Sequence, residues 1–201
     1  MAASDWVLAS RNRGKLDELQ QLLAPLGCRL HLISEFSDEA PDEPAPSFVE
    51  NAILKARHAA RASGLPAIAD DSGLEVAALG GAPGVRSARY AGEHASDADN
   101  NAKLLAAMAA VPDGQRQANF VSLVVALRHA EDPRPLIAEG VWPGSILRAP
   151  RGAGGFGYDP LFYVAEHGCA AAELPPAVKN RISHRGQAIA RLQALLRDVR
   201  H

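Results

Sequence analysis

Apolar and polar positions alternate between two rhythms along the chain, and the changes of rhythm predict the elements. Trp6 to Ala9 is a short apolar run that reads as a buried strand, closed by the polar turn Ser10-Arg11-Asn12-Arg13-Gly14. Leu16, Leu19, Leu22, Leu23 and Leu26 then fall at helical spacing on one face, and Pro25 with Gly27 marks the end of that helix. The opening unit is strand, loop, helix. From Ser34 to Pro46 the chain is acidic and proline-rich, which predicts an exposed connection. Ser47-Phe48-Val49-Glu50 has capping-box spacing and opens an alanine-rich helix through Ala62, stopped by Gly64 and Pro66. Ala67-Ile68-Ala69 reads as a buried strand that delivers Asp70, Asp71 and Ser72 to its C-terminal end, where Gly73 permits a tight turn.

In the second half, Leu79 to Gly84 is a glycine-rich loop, Ser96 caps a helix through Ala110, and Phe120 to Leu127 is a strand. Ile137 to Ile146 looks extended but broken by Pro143-Gly144, and Leu161 to Val164 is another short strand. From Ser183 a last helix carries the stripe Ile189, Leu192, Leu195, Leu196 and Val199, with His184 and Arg185 in its first turn. Strands and helices alternate early and strands cluster later, so the expected class is α/β, a mixed β-sheet with flanking helices. A single domain over residues 1–201 is the default for this length.

Composition narrows the function. A formal charge of −2 provides no broad cationic field, so nucleic acid and membrane are not expected as partners, whereas a small phosphorylated ligand needs only a local cluster. Cys28 and Cys169 have neither C-x-x-C spacing nor neighbouring metal ligands, which argues against a disulfide scaffold or a zinc site. Met1 to Asp5 lacks a basic segment and the apolar run after it is too short for a signal peptide, so a cytoplasmic location is expected.

Several segments could carry chemistry, each with a plainer alternative. Ser10 to Lys15 offers backbone N–H groups at a helix N-terminus and a lysine, a phosphate-binding arrangement, although in isolation it is equally a polar turn. It is not a Walker A loop, because Leu16 follows Lys15 where a magnesium-binding hydroxyl belongs. Gly152-Ala153-Gly154-Gly155-Phe156-Gly157 satisfies G-x-G-x-x-G, but Tyr158-Asp159-Pro160 and an extended run follow instead of a helix, which argues against dinucleotide binding. A flexible loop holding Phe156 against a flat ligand fits better. Asp70, Asp71 and Glu50 are hard oxygen donors suited to Mg²⁺, with Asp71, nearest the turn, the preferred residue. Capping alone also explains Glu50, and a turn explains the aspartates. Asn51 and Lys55 share a helix face, and Lys179, His184 and Arg185 add hydrogen-bond donors. His58, His129 and His167 show no metal-binding spacing.

Together these segments resemble the inosine/xanthosine triphosphate pyrophosphatase family. The resemblance runs through Leu8 to Lys15, Ser47 to Ala52, Ala69 to Leu74, Gly80 to Gly84, Gly155 to Pro160, Lys179 and Ser183 to Gly186, in that order. It implies an elongated mixed β-sheet with flanking helices, two lobes with a central active-site cleft, a homodimer, and Mg²⁺ as cofactor. It implies hydrolysis of ITP, dITP and XTP to monophosphate and pyrophosphate, with Asp71 as general base and Glu50, Asp70 and Asp71 at the metal. Ser10, Arg11, Asn12, Arg13, Gly14, Lys15 and Lys55 would hold the phosphates. Phe156 would stack on the purine, Asp159 and Lys179 would line its pocket, His184 with Arg185 would read its edge, and Ser72, Gly157 and Tyr158 would also belong to the substrate site. Arg11 stands where the family often has glycine. The rivals are a pyrophosphatase for other odd nucleotides and a nucleotide-binding module without hydrolysis.

Overall fold

The computed structural model describes residues 4–39, 41 and 43–198, so Val199 of the last apolar stripe, Met1 to Ala3, and Ala40 and Asp42 of the acidic connection lie outside the described residues. Seven strands form one mixed sheet: β1 (Ser4–Leu8), β2 (Cys28–Leu32), β3 (Ala67–Val76), β4 (Gln117–Leu127), β5 (Leu136–Ile146), β6 (Phe162–Val164) and β7 (Cys169–Ala170), in the order β2-β1-β3-β4-β5-β6-β7. β1 runs parallel to both β2 and β3, while β6 is antiparallel to β5 and β7. The helices are α1 (Arg13–Leu23), α2 (Phe48–Ser63), α3 (Asp97–Ala107), α4 (Pro176–Ile182) and α5 (His184–Asp198). By its internal contacts the chain divides into two compact units. One comprises residues 1–71, 122–140 and 187–201; the other comprises residues 72–121 and 141–186.

The period-two rule of a strand organises the first unit. Trp6, Leu8, Ile68, Val124 and Ala126 join the apolar stripes of α1 and α5, led by Leu19, Leu23, Ile189 and Leu192. The alternate residues Val7, Ala67, Ala69, Val125 and Leu127 join Ala52, Ala56, Ala59 and Ala60 of α2. The sheet is therefore covered on both faces in this unit. The alanines let α2 lie close, since no longer side chain holds it off. Ser47 caps α2 by accepting from the Glu50 N–H, and Gly64, at φ 70°, ends it in the left-handed conformation that glycine adopts without steric cost.

The second unit has its own core, in which Leu74, Leu104, Met108, Phe120, Trp142 and Phe162 are central. Buried Arg116 is satisfied there by backbone carbonyls, those of Ile146 and Met108 at 2.7 Å each and Leu147 at 3.1 Å. The literal G-x-G-x-x-G segment leads through a turn into β6, not into a helix, in keeping with its reading as a loop.

Two expectations are corrected. β3 does not end at Asp70 and Asp71; it continues through Ser72 and Gly73 to Val76. The polar run resembles a turn locally, but Leu74 and Val76 are completely buried and carry the strand onward. β5 is not broken at Pro143-Gly144. Pro143 is exposed, and Gly144 fits where a side chain would not, because a Cβ there would fall 2.5 Å from Cζ of Phe162.

Between β4 and β5, Asp132 organises the connection. Its side chain is only 1% exposed; its oxygens accept the Arg128 N–H at 2.9 Å, the Arg134 N–H at 3.0 Å, and the Arg128 guanidinium at 2.8 and 2.6 Å. The arginine, ahead of the two backbone donors, holds the carboxyl well below its ordinary value of 3.8. A depressed pKa contributes stability that is fully present above 3.8 and is lost as pH falls towards the folded-state value. Asp132→Ala is expected to lower unfolding stability by about 2 kcal/mol at pH 7. Urea titration as a function of pH checks this: the gap to the wild type should narrow as pH drops below 3.8.

Candidate active site

The first unit gathers charge at the C-terminal end of β1, where open parallel sheets place ligands. Ser10 and Asn12 shape the turn: Ser10 Oγ accepts the Asn12 N–H at 3.1 Å, and the Asn12 side chain caps α1 by accepting the Lys15 N–H at 3.2 Å. Gly14 stands within that cap, since a Cβ there would lie 3.2 Å from Asn12 Oδ1. Lys15 Nζ reaches both oxygens of Asp70, at 3.1 and 3.0 Å. Ser10, Arg11, Lys15, Lys55, Glu43 and Asp70 are among the residues lining a cavity of about 270 Å³. Arg13 and Asn12 are exposed beside it, and the Arg11 guanidinium donates to the Asp38 carbonyl.

Strand alternation separates the two aspartates. Asp70 shares the face of Ile68, towards α1, and Asp71 shares the face of Ala67 and Ala69, towards α2. Each therefore meets a lysine from a different helix. Lys55 of α2 donates to Asp71 Oδ1 at 2.7 Å and also faces Glu43 at 3.2 Å. Burial alone pulls the Lys55 ammonium down, but Asp71, Asp70 and Glu43 outweigh it, so the group is held above 10.5. Burial pushes the Asp71 carboxyl up from 3.8, and Lys55 offsets this only in part because Glu43 and Asp70 repel it. One cation facing several carboxylates accounts for both directions: the lysine gains from all of them, while each acid receives only a share.

This cluster has room in its chemistry for a hard cation. Asp71 Oδ2 is buried and accepts no hydrogen bond among the described residues. Among the described residues no group of three His, Cys, Asp or Glu forms a ready cage. Mg²⁺ takes few protein ligands and keeps waters or substrate oxygens for the rest. Glu50 is exposed and accepts the Ser47 hydroxyl at 2.5 Å, so it serves the helix start; Glu43 stands with Asp71 on Lys55 instead. Asn51 is also spent structurally. It exchanges hydrogen bonds with the Ala45 backbone at 3.0 and 3.2 Å, which fixes the segment that carries Glu43.

The second unit brings together the other predicted residues. Phe156 is 55% exposed, with Lys179 Nζ 5.0 Å and Arg185 Cζ 5.4 Å from its ring centre. Asp159 accepts the Phe156 N–H at 2.8 Å and pairs with Lys179, so one carboxylate fixes both loop and ammonium. His184 is buried with its ring nearly parallel to Phe120, centroids 4.7 Å apart. Arg185 is buried beside it in sequence, at the start of α5. Tyr158 turns its hydroxyl to the Ser87 carbonyl, donating at 2.8 Å, and burial pushes it far above 10.0. Ser72 follows Asp71 along β3 and is half-buried.

A mixed α/β sheet with a lysine–carboxylate cavity at its strand ends, and a separate cluster of donors around an exposed phenyl ring, defines a phosphate-handling enzyme fold. The chain belongs to the Ham1 family, whose model matches residues 6–195. A dITP/XTP pyrophosphatase of Pseudomonas aeruginosa is 60% identical over 190 residues, covering 94% of this chain and 95% of that protein. A protein of the same name from Vibrio cholerae is 54% identical over 194 residues, covering 96% and 97%. The structure of a HAM1 protein from Coxiella burnetii superposes with a TM-score of 0.92 at 52% identity, covering 98% of this chain and all of that one.

Removing the shared cation tests the cluster. Lys55→Met leaves Asp71 buried without its partner and is expected to cost roughly 2–3 kcal/mol of unfolding free energy. Adding Asp71→Asn to that variant should recover part of the loss, because the uncompensated charge is then gone; urea titration of the single and double variants measures both.

Proposed function

We propose that this chain hydrolyses deaminated purine nucleoside triphosphates, ITP, dITP and XTP, to the nucleoside monophosphate and pyrophosphate. In doing so it keeps these bases out of DNA and RNA. The observation that carries the reading is the cavity lined by Lys15, Lys55 and Asp70, beside which Lys55 also bonds Asp71, whose buried Oδ2 has no hydrogen-bond partner among the described residues. Phosphate oxygens are assigned to Ser10, Arg11, Lys15 and Lys55, with Asn12 and Gly14 shaping the turn and Arg13 adding charge at its edge.

Asp71 takes the proton from the attacking water as the new bond forms at the α-phosphorus. The bridging bond to the β-phosphate oxygen breaks, and the electron pair leaves with pyrophosphate. A carboxyl raised by burial is a stronger base than an exposed one, which suits this role. Lys15 and Lys55 stabilise the charge that spreads onto the leaving group. Asp70, Asp71 and Glu43 would hold Mg²⁺, which when bound neutralises triphosphate charge and polarises the reacting phosphoryl group.

The base is assigned to the second unit. Phe156 stacks on the purine, and Lys179, His184 and Arg185 present donors. Hypoxanthine and xanthine carry an acceptor oxygen at position 6 where adenine carries a donor amine. A donor-lined site therefore leaves ATP with unpaired polar atoms, a mismatch that discriminates far more strongly than shape alone. A cytoplasmic homodimer is the expected working form.

The test is pyrophosphate release from equal concentrations of ITP, XTP, ATP, GTP and dUTP, with and without Mg²⁺. Release from ITP and XTP that depends on Mg²⁺ is expected, and equal hydrolysis of all five would refute the pocket assignment. Asp71→Asn should lower kcat by roughly 10²–10⁴-fold with the fold intact. Retained turnover would remove Asp71 from the role of base.

A further inference from the structure

Phe156 sits on a glycine-rich loop. Gly152, Gly155 and Gly157 all have positive φ, at 79°, 74° and 60°, and the phenyl ring is 55% exposed. A stacking platform is useful only if its plane is set before the ligand arrives, because ordering it on binding consumes interaction free energy. Asp159 holds the Phe156 N–H from within the loop, and the start of α3 adds a restraint from outside it. Asp97 Oδ2 accepts the Gly157 N–H at 2.6 Å, and Asn101 Nδ2 donates to the Gly157 carbonyl at 2.8 Å. The glycine is thus gripped at both its N–H and its carbonyl by two residues four apart on one helix face.

The geometry of the grip is specific. Asn101 Nδ2 also donates to the Asp97 carbonyl at 2.8 Å, so both acceptors fix the orientation of its amide. The Asn101 Oδ1 atom is buried with no hydrogen-bond partner among the described residues. A flipped amide would turn that oxygen towards two carbonyls, so the orientation is dictated by the two donations. Asp97 serves the loop, while the neighbouring acid Asp99 serves the helix by closing the capping box with Ser96.

We infer that Asp97 and Asn101 are positioning residues for the purine: they hold Gly157 from both sides and thereby set the plane of the Phe156 ring. This rests on the assignment of Phe156 to base stacking. Neither residue touches the reacting atoms, so the effect falls on binding of the base and not on phosphoryl chemistry.

Steady-state kinetics with ITP, together with inhibition by inorganic tripolyphosphate as a probe without a base, tests the inference. Asp97→Ala is expected to raise KM for ITP roughly three- to tenfold at unchanged kcat, from loss of one hydrogen bond to a charged acceptor. Tripolyphosphate inhibition should not change. Asp97→Asn keeps an acceptor oxygen in place and should restore most of the affinity. Asp99→Ala disturbs the same helix start without touching the loop and should leave KM alone. In a Phe156→Ala background, Asp97→Ala should add nothing further. If Asp97→Ala does not fold, Asn101→Ala removes the grip from the carbonyl side and is expected to raise KM in the same selective way. A raised KM in Phe156→Ala with wild-type KM in a folded Asp97→Ala would overturn this inference alone, as would equal effects of Asp97→Ala and Asp99→Ala. Wild-type KM in Phe156→Ala would overturn the stacking assignment and this inference with it.

Discussion

Two adjacent carboxylates in the interior of a strand are the constraint around which the first unit is arranged. Asp70 and Asp71 are 2% and 8% exposed, and a buried carboxylate without a cation or hydrogen-bond donors is unfavourable by several kcal/mol. Because consecutive side chains of a strand face opposite ways, each carboxylate takes its hydrogen-bonded lysine from a different helix, although the Lys55 ammonium also feels the charge of Asp70. Lys15 from α1 and Lys55 from α2 meet the requirement from the two faces. Neither helix can shift far along the sheet without stranding an acid. The apolar stripes supply most of the burial, and the ion pairs select the register in which it occurs.

The compensation is incomplete. One Asp71 oxygen has no hydrogen-bond partner among the described residues, and Glu43 adds a further carboxylate to Lys55. A fully satisfied network would be more stable and chemically inert.

The second unit follows a different principle. Its donors are held rigid by aromatic packing and short-range pairing: His184 lies against Phe120, and Lys179 is tied to Asp159. Asp159 also holds the Phe156 N–H, and a Cβ at Gly155 would come within 2.1 Å of its carboxylate, so glycine there is a steric necessity. Donors fixed in place beforehand discriminate between ligands better than mobile ones, which would adapt to the wrong partner.

Much of this was legible along the chain. The limits of α2 follow from a serine cap and a left-handed glycine, both decided within a few residues, and the apolar stripes of α1 and α5 name their buried faces directly. The motif order carried the family. Local reading failed where a distant residue decided the outcome. Asp70-Asp71-Ser72-Gly73 has the composition of a turn, yet it is strand, because lysines far away in sequence neutralise its acids and Leu74 and Val76 find a core beyond it. Glu43 gave no signal of its own in a proline-rich connection, yet Asn51 holds the segment that brings it to Lys55. Asp97 and Asn101 read only as the polar first turns of a helix until Gly157 is found against them. What the sequence determined by itself were the elements whose signals are short-range: caps, stripes and glycine stops. Which charge meets which was left to tertiary structure, because electrostatic partners are chosen by distance in space.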